Sequence, residues 1–251
     1  MKHSLMGLSP LFTNNLTQDI VATLVTFLLA LIWLRVMDTL AHWGLIEQKL
    51  SRKLIHIGTG PLFVMCWNLF SEEPQARYLA ALTPLVITLQ FFAVGSGLIK
   101  DPAAVQAMTR NGDPREILRG PLYYGIVFVI CTLIFWRSSP VGVLALMLMC
   151  GRDGLADIVG RRLGTHKLPF NPNKSWAGSA AMFGGGFGFG FGSLALFNAF
   201  GNFQPPLNLL TTAGVVGIIV LAATIVEALP FRNIDNLTLT GVAAVLGLGL
   251  L

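Results

Sequence analysis

The sequence predicts an all-α, polytopic membrane protein with about eight transmembrane helices, with seven as the alternative count. Three observations predict this class: 54% of the 251 residues are hydrophobic, 12% are charged, and the mean hydropathy is +0.69. A typical soluble domain has about 25% charged residues, so this chain has too little charge to cover a water-exposed surface. The composition excludes a soluble globular domain, a disordered protein and a basic nucleic-acid-binding protein.

Uncharged or nearly uncharged runs recur along the chain at the length of a membrane span. A helix needs about 20 apolar residues to cross the bilayer core, and no segment alternates as a membrane barrel strand does. The first run is too long for a cleaved signal peptide, the fourth is marginal in length and the last is short. In chain order, the predicted spans are residues 20–37, 54–70, 78–98, 121–136, 139–157, 176–200, 207–227 and 236–251. Because the polar connections are short, we expect one membrane domain over residues 1–251.

The basic residues are distributed unequally between the two sides of this predicted bundle. Fourteen of the 17 lysines and arginines fall after spans one, three, five and seven, on one side. The opposite side has Lys2, Arg77 and Arg137. By the positive-inside rule the basic side is cytosolic, and both termini face away from it.

The densest polar stretch, residues 151–178, is the predicted main active-site loop. Asp153 and Asp157 are four residues apart, so on a helix both carboxylates lie on one face. Such a pair is costly near a membrane interface unless it meets a cation, and Mg²⁺ with nucleotide phosphates fits that need. The nearby cations would then bind phosphate oxygens: Arg161, Arg162, Lys167 and Lys174. The alternative is a helix end whose aspartates merely pair with Arg161 and Arg162.

Further polar groups belong to the same predicted side. Arg52, Lys53 and His56 lie at the start of span two, and Arg119 lies in the connection after span three. These residues are either positive-inside anchors in solvated connections or a basic lid over phosphates. The acids near the ends of the last two spans, Glu227 and Asp235, are either helix caps or additional metal ligands.

The glycine-rich tract of residues 184–192 lies inside an uncharged span. It lacks the Lys-Ser/Thr of a P-loop, so it predicts close helix packing or a kink rather than a nucleotide loop.

These motifs together resemble the membrane-bound, CTP-dependent polyprenol kinase family, which includes dolichol kinase and phytol/farnesol kinase. The family signature is Asp-x-x-Ala-x-x-x-Gly-x-x-x-Gly, followed further along by Lys-Lys-Thr/Ser-x-Glu-Gly. The first part is matched by Asp153, Ala156, Gly160 and Gly164, and the second by Lys174, Ser175 and Gly178. Asn173 and Ala177 stand where the family has Lys and Glu. The added Asp157 and the two arginines after it look closest to the phytol kinase branch of cyanobacteria and plastids.

The resemblance implies transfer of the γ-phosphoryl group of CTP to the primary hydroxyl of an isoprenoid alcohol. Phytol is the expected alcohol, with geranylgeraniol or farnesol as alternatives, and the product would feed phytol salvage and tocopherol-type synthesis. The implied catalytic residues are Asp153, Asp157 and Lys174. The implied Mg²⁺ ligands are Asp153 and Asp157, with Glu227 and Asp235 as further candidates. The implied nucleotide- and phosphate-binding residues are Arg52, Lys53, Arg119, Gly160, Arg161, Arg162, Gly164, Lys167, Ser175 and Gly178. His56 is a candidate general base or substrate contact.

Two other functions remain open from the residues. A cytidylyltransferase forming a CDP-lipid would use the same nucleotide and metal. A transporter or lipid scaffold is the non-enzymatic alternative, although a transporter would place ionisable groups near the membrane midplane, whereas here almost every charge lies at one interface. The first 19 residues contain no Arg and do not resemble a plastid transit peptide, so we expect a multi-pass protein of a bacterial membrane, cyanobacterial by resemblance.

Overall fold

The computed structural model describes residues 12, 14–109, 111–229 and 235–251, and for Arg152, Asp153 and residues 235–239 the backbone alone. Within this part of the chain, nine segments are α-helical. They are α1 (Asn15–His42), α2 (Gln48–Cys66), α3 (Ala76–Gly95), α4 (Pro102–Met108), α5 (Gly120–Ile134), α6 (Pro140–Leu163), α7 (Trp176–Ala199), α8 (Leu209–Ala228) and α9 (Asp235–Leu250). An antiparallel hairpin connects α6 to α7 and consists of β1 (Lys167–Leu168) and β2 (Asn171–Ser175). Single 3₁₀ turns occupy Trp67–Leu69 and Pro114–Leu118.

The predicted all-α polytopic class is confirmed, because one long helix occupies each of the eight predicted spans. Five segments are long and apolar enough to cross a membrane by length and composition: Asn15–His42, Ala76–Gly95, Pro114–Ile134, Trp176–Ala199 and Leu209–Ala228. Of the other long helices, α2 and α6 carry the charged residues that the sequence singles out, and α9 is shorter. The protein is therefore a membrane protein built from helices.

The fifth predicted span ends at residue 157, but α6 continues to Leu163. The extra turns are favoured because Arg161 and Arg162 lie in the last turn, where cations interact well with the helix dipole. Asp157 and Arg161 also form an i,i+4 ion pair. About half of the stretch 151–178 thus belongs to α6, and the remainder contains the hairpin and the first residues of α7.

The helices form two compact units, Met1–Ile134 and Phe135–Leu251. The single domain expected from the sequence stays a prediction. In the first unit α1 packs on α2 and α3, and α3 packs on α5. The Trp33 ring lies so close to Gly58 that a Cβ there would be 2.3 Å from it. At one end of α1, the buried Asp19 carboxylate accepts hydrogen bonds from the Ser71 amide at 2.6 Å and hydroxyl at 2.9 Å. These contacts fasten α1 to its neighbours.

In the second unit α6 packs against α7 and α9, and α8 packs against α7 and α9. Residues 143–150 of α6 are at most 2% exposed, as expected for a helix that is apolar all round. The glycine-rich tract is helical throughout, and the predicted close packing is confirmed at Gly185 and Gly190. A Cβ at Gly185 would lie 2.5 Å from Leu155, and one at Gly190 would lie 2.7 Å from Leu144.

Candidate functional site

The hairpin β1–β2 brings the chain from the C-terminal end of α6 to the N-terminal end of α7. Its register pairs Lys167 with Ser175 and Leu168 with Asn171, with an irregularity between the two pairs. Ser175 is the N-cap of α7, and its hydroxyl accepts a hydrogen bond from the Gly178 amide at 3.1 Å. Ser175 therefore satisfies one of the first amides of the helix, which is the usual task of a serine in this position.

The glycines of the family signature lie at the closest approach of α6 to α7. A Cβ at Gly160 would lie 3.5 Å from the Gly178 Cα, and a Cβ at Gly178 would lie 3.3 Å from the Ala156 carbonyl oxygen. A Cβ at Gly164 would lie 2.5 Å from the Ser175 hydroxyl. These positions hold the hairpin and the two helices together at backbone distance. Phosphate binding by the three glycines stays a prediction.

Ala156, the remaining small residue of the signature, packs into the core beneath this approach. It contacts a cluster formed by buried Met182 of α7 and buried Ala223 of α8. The small-residue face predicted from the sequence is therefore a packing surface for neighbouring helices.

Asp157 forms an ion pair with Arg161, whose Nε donates to the Asp157 Oδ1 at 3.0 Å. The two side chains are 27% and 52% exposed, so the pair is accessible to solvent at the end of α6. Asp153 lies one helical turn before Asp157 on α6, and its side chain is outside the described residues. Arg162 and Lys167 are exposed.

Lys174 of β2 forms an ion pair with Glu227, the penultimate residue of α8. The Glu227 side chain is only 7% exposed, and a negative charge in the last turn of a helix opposes the helix dipole. The positive charge of the lysine ammonium offsets both the burial of the carboxylate and its unfavourable interaction with the helix dipole. A second contact fixes the same elements, because the Asn171 side chain donates to the Ala228 carbonyl oxygen at 3.0 Å.

The predicted metal ligands fit Mg²⁺ by their chemistry, since Mg²⁺ prefers oxygen ligands and usually takes one or two carboxylates. Asp157 is partly exposed and could be reached by a hydrated ion. Glu227 instead contacts Lys174. Within the described side chains, no three His, Cys, Asp or Glu residues stand close enough to hold a metal. The carboxylates of Asp153 and Asp235 lie outside that description.

The first unit positions the other predicted cations. Arg52 Nη1 donates to the Thr109 carbonyl oxygen at 2.7 Å, which ties α2 to the end of α4. Lys53 is half-buried, whereas Arg119 is exposed at the start of α5. Their predicted contact with phosphates stays a prediction.

His56 is held by an aromatic neighbour. Its ring lies 4.4 Å from the Tyr124 ring, centroid to centroid, and the Tyr124 hydroxyl donates to the His56 carbonyl oxygen at 2.8 Å. The Tyr124 ring also contacts the Phe128 ring, in a tilted arrangement with the centroids 4.8 Å apart. His56 thus has a defined position in the packing between α2 and α5, and a role as general base stays a prediction.

Three positioning residues were not predicted from the sequence: Thr109, Tyr124 and Asn171. The first acts through a backbone carbonyl, for which no side-chain signal exists. Tyr124 and Asn171 carried a weak signal, as polar groups beside a span end in a chain with few polar residues.

Fold and site together define the class: a polytopic α-helical membrane protein with clusters of charged side chains at its helix ends. The chain is 44% identical to probable phytol kinase 1, chloroplastic, of Oryza sativa subsp. japonica over 223 residues, which cover 88% of this chain and 70% of that protein. It is 39% identical to phytol kinase 1, chloroplastic, of Arabidopsis thaliana, over 90% of this chain and 73% of the relative. It is 37% identical to farnesol kinase, chloroplastic, of Arabidopsis thaliana, over 93% of this chain and 76% of that relative. The chain belongs to this family of phytol and farnesol kinases.

No protein-family model matches the chain. No solved structure matches it either. The three relatives are chloroplastic proteins of plants, so the similarity does not support the bacterial membrane expected from the first 19 residues. The membrane location itself is supported by the apolar helices.

Proposed function

We propose that this protein phosphorylates an isoprenoid alcohol, phytol in the first place, with CTP as the phosphoryl donor. The similarity to phytol and farnesol kinases supports a prenyl alcohol as the acceptor. The structural observation that carries the proposal is the placement of Lys174. This lysine belongs to the family signature and is oriented by the buried Glu227 carboxylate beside the N-terminal end of α7.

The reaction is a single phosphoryl transfer. The alcohol oxygen forms a bond to the γ-phosphorus of CTP, and the bond from that phosphorus to the β,γ-bridging oxygen breaks. CDP leaves with the bond electrons, and the hydroxyl proton passes to a carboxylate. Catalysis of this kind depends mainly on positioning and charge stabilisation.

The second unit has the residue types for each of these tasks. Lys174, held by Glu227, neutralises phosphate charge, and the exposed cations Arg161 and Arg162 do the same at the end of α6. The partial positive charge at the N-terminal end of α7 favours an anion there. Asp157, or Asp153 one turn away, accepts the alcohol proton.

Asp153 and Asp157 would hold Mg²⁺, which when bound neutralises charge on the transferring phosphate. The oxygen donors and the partial exposure of Asp157 fit such an ion.

The basic side of the bundle would face the cytosol or its organellar equivalent. The soluble nucleotide would then arrive from water, while the lipid alcohol reaches the same interface from the membrane. The prenyl monophosphate product would feed phytol salvage and tocopherol-type synthesis.

The direct test uses the purified full chain in phosphatidylcholine vesicles. Labelled CTP, UTP or ATP is incubated with phytol, geranylgeraniol or farnesol, and lipid and nucleotide products are separated. We expect phytyl monophosphate and an equal amount of CDP, with CTP preferred. Pyrophosphate and a CDP-lipid would instead identify a cytidylyltransferase, and no labelled lipid with any donor would reject the kinase proposal.

The site assignment has its own test in the same assay. Asp153→Asn and Lys174→Ala should each lower phosphorylation strongly. If both variants retain nearly the full rate, the kinase activity stands but the site has been assigned to the wrong residues.

A further inference from the structure

The first unit contains a cavity of about 760 Å³, which is within the size range of ligand-binding pockets. It lies among the first turn of α2, the residues after α3, helix α4 and the residues Thr109, Gly112 and Pro114. Three cations contribute to its lining: Lys49, Arg52 and Lys100. Three cations in the lining of one cavity favour an anionic ligand.

The cavity has one carboxylate in its lining, Asp101, and that group is engaged in the structure of the loop. Its Oδ1 accepts from the Ala104 amide at 2.9 Å as the N-cap of α4, and its Oδ2 accepts from Gln90 at 3.5 Å. Among the described residues, neither Lys49 nor Lys100 forms an ion pair. The formal charge of the lining residues that the structure describes is thus +2, from three cations and one carboxylate.

Arg52 is the ordered member of the three cations. Its contact with the Thr109 carbonyl at 2.7 Å fixes the guanidinium, and Thr109 is itself only 6% exposed. Because the Arg52 side chain is already held in place, ligand binding would lose less conformational entropy there than with a mobile side chain. A planar guanidinium is also suited to two hydrogen bonds with one phosphate group.

The remaining lining is largely apolar, with Val94, Ile99 and Val105. Ile99 is 53% exposed and its neighbour Leu98 is 75% exposed. Exposed aliphatic side chains beside cations are typical of the interface between membrane and water, where lysine stems lie along apolar surface.

We infer that this cavity is a binding site for a doubly charged phosphate group, a phosphomonoester or the end of a polyphosphate. A charge of −2 matches the +2 of the described lining residues, whereas a single carboxylate carries only half of that charge. The phosphate group belongs either to a membrane lipid such as phosphatidic acid or to a free nucleotide. Because Arg52 is also one of the phosphate-binding residues that the family resemblance implies, the nucleotide source rests on the proposed function, whereas the lipid source does not. Binding is measured without phosphoryl transfer, so the two proposals can fail separately.

The test measures binding rather than catalysis, on the purified full chain in phosphatidylcholine nanodiscs. Thermal unfolding is followed while phosphatidic acid is added to the nanodisc lipid in one arm, and CTP with EDTA is titrated in the other. Lys49→Gln/Lys100→Gln removes two exposed cations of the lining. We expect the half-saturating amount to rise at least about tenfold in one arm, since charge-assisted hydrogen bonds are lost, and the affected arm identifies the source of the phosphate.

Two further variants make the result specific. Lys49→Arg/Lys100→Arg keeps both charges and should bind nearly as the wild type does. Arg35→Gln/Arg115→Gln removes two exposed cations of the same unit that do not line the cavity, and should leave both titrations unchanged. Equal titrations of wild type and the glutamine variant in both arms would overturn the inference, as would an equal loss in the Arg35/Arg115 control or in the Lys-to-Arg variant.

Discussion

The two units use their charged side chains differently. In the second unit, oppositely charged side chains form ion pairs. Asp157 pairs with Arg161 at the end of α6, and Lys174 of β2 pairs with Glu227 of α8. Around the first turns of α2 in the first unit, the described contact of a cation is with the backbone, since Arg52 donates to the Thr109 carbonyl. The neighbouring His56 is held by the ring and hydroxyl of Tyr124.

The difference concerns what each cluster can bind. A cluster with both carboxylates and cations can hold a metal ion and phosphates together, as phosphoryl transfer requires. The cavity of the first unit has more cations than carboxylates in its described lining, and so suits an anion. The predictions below test this contrast, beginning with the largest expected effect.

Removal of Lys174 should have the largest effect. In Lys174→Ala the Glu227 carboxylate, 7% exposed, loses its ion pair with Lys174, and we expect a loss of about 2–3 kcal/mol in the free energy of unfolding. Phosphorylation should fall at least about 100-fold, because a phosphate-binding charge is also lost. Denaturant unfolding in detergent and the labelled-CTP assay measure the two effects.

The double variant Lys174→Met/Glu227→Met separates them. Replacing a buried ion pair by apolar side chains is often neutral for stability, so stability should recover while activity stays low. Recovery of activity together with stability would show that Lys174 has only a structural role.

Asp157→Asn should affect activity far more than stability. An exposed i,i+4 ion pair contributes about 0.3–0.5 kcal/mol, whereas loss of a metal ligand or proton acceptor should lower the rate about 100-fold. Arg161→Gln breaks the same pair but keeps the carboxylate, so it should lower the rate less than Asp157→Asn does, although it also removes a proposed phosphate-binding charge. If the two variants have the same small effect on rate, Asp157 serves only to pair with Arg161, which is the alternative that the spacing left open.

The packing of α6 on α7 gives a prediction with a control on the adjacent residue. A Cβ at Gly185 would lie 2.8 Å from the Gly151 carbonyl oxygen, whereas one at Gly184 would have nothing within 4 Å. Gly185→Ala should therefore cost about 2 kcal/mol of stability, while Gly184→Ala should be neutral or stabilising by up to about 1 kcal/mol. Thermal unfolding of both variants checks this, and equal midpoints would contradict the close packing.

The smallest expected effect is in the first unit. Tyr124→Phe keeps the ring against His56 and removes one hydrogen bond to its carbonyl, which should cost about 1 kcal/mol. Activity should change less than twofold if His56 acts only in packing. A large fall in rate with an altered pH profile would show instead that the position of His56 matters for catalysis.

Much of the fold could be predicted, because membrane spans are local features of hydropathy. Each predicted span contains a long helix, and the i,i+4 spacing of Asp157 and Arg161 anticipated their ion pair. The end of α6 was predicted too early, since charged residues were assigned to a loop although they stabilise the last turns of a helix. Contacts between distant segments could not be predicted in this way.

By itself, the sequence determined the class, the helices and the residues of the family signature, since these depend on composition and on spacing within one helix. Only the tertiary structure decided which helix ends meet. Lys174 contacts a carboxylate 53 residues away, and Arg52 contacts a carbonyl 57 residues away. Such pairs depend on helix packing and hairpin register. The cavity beside Arg52 likewise exists only because separate segments of the first unit line it.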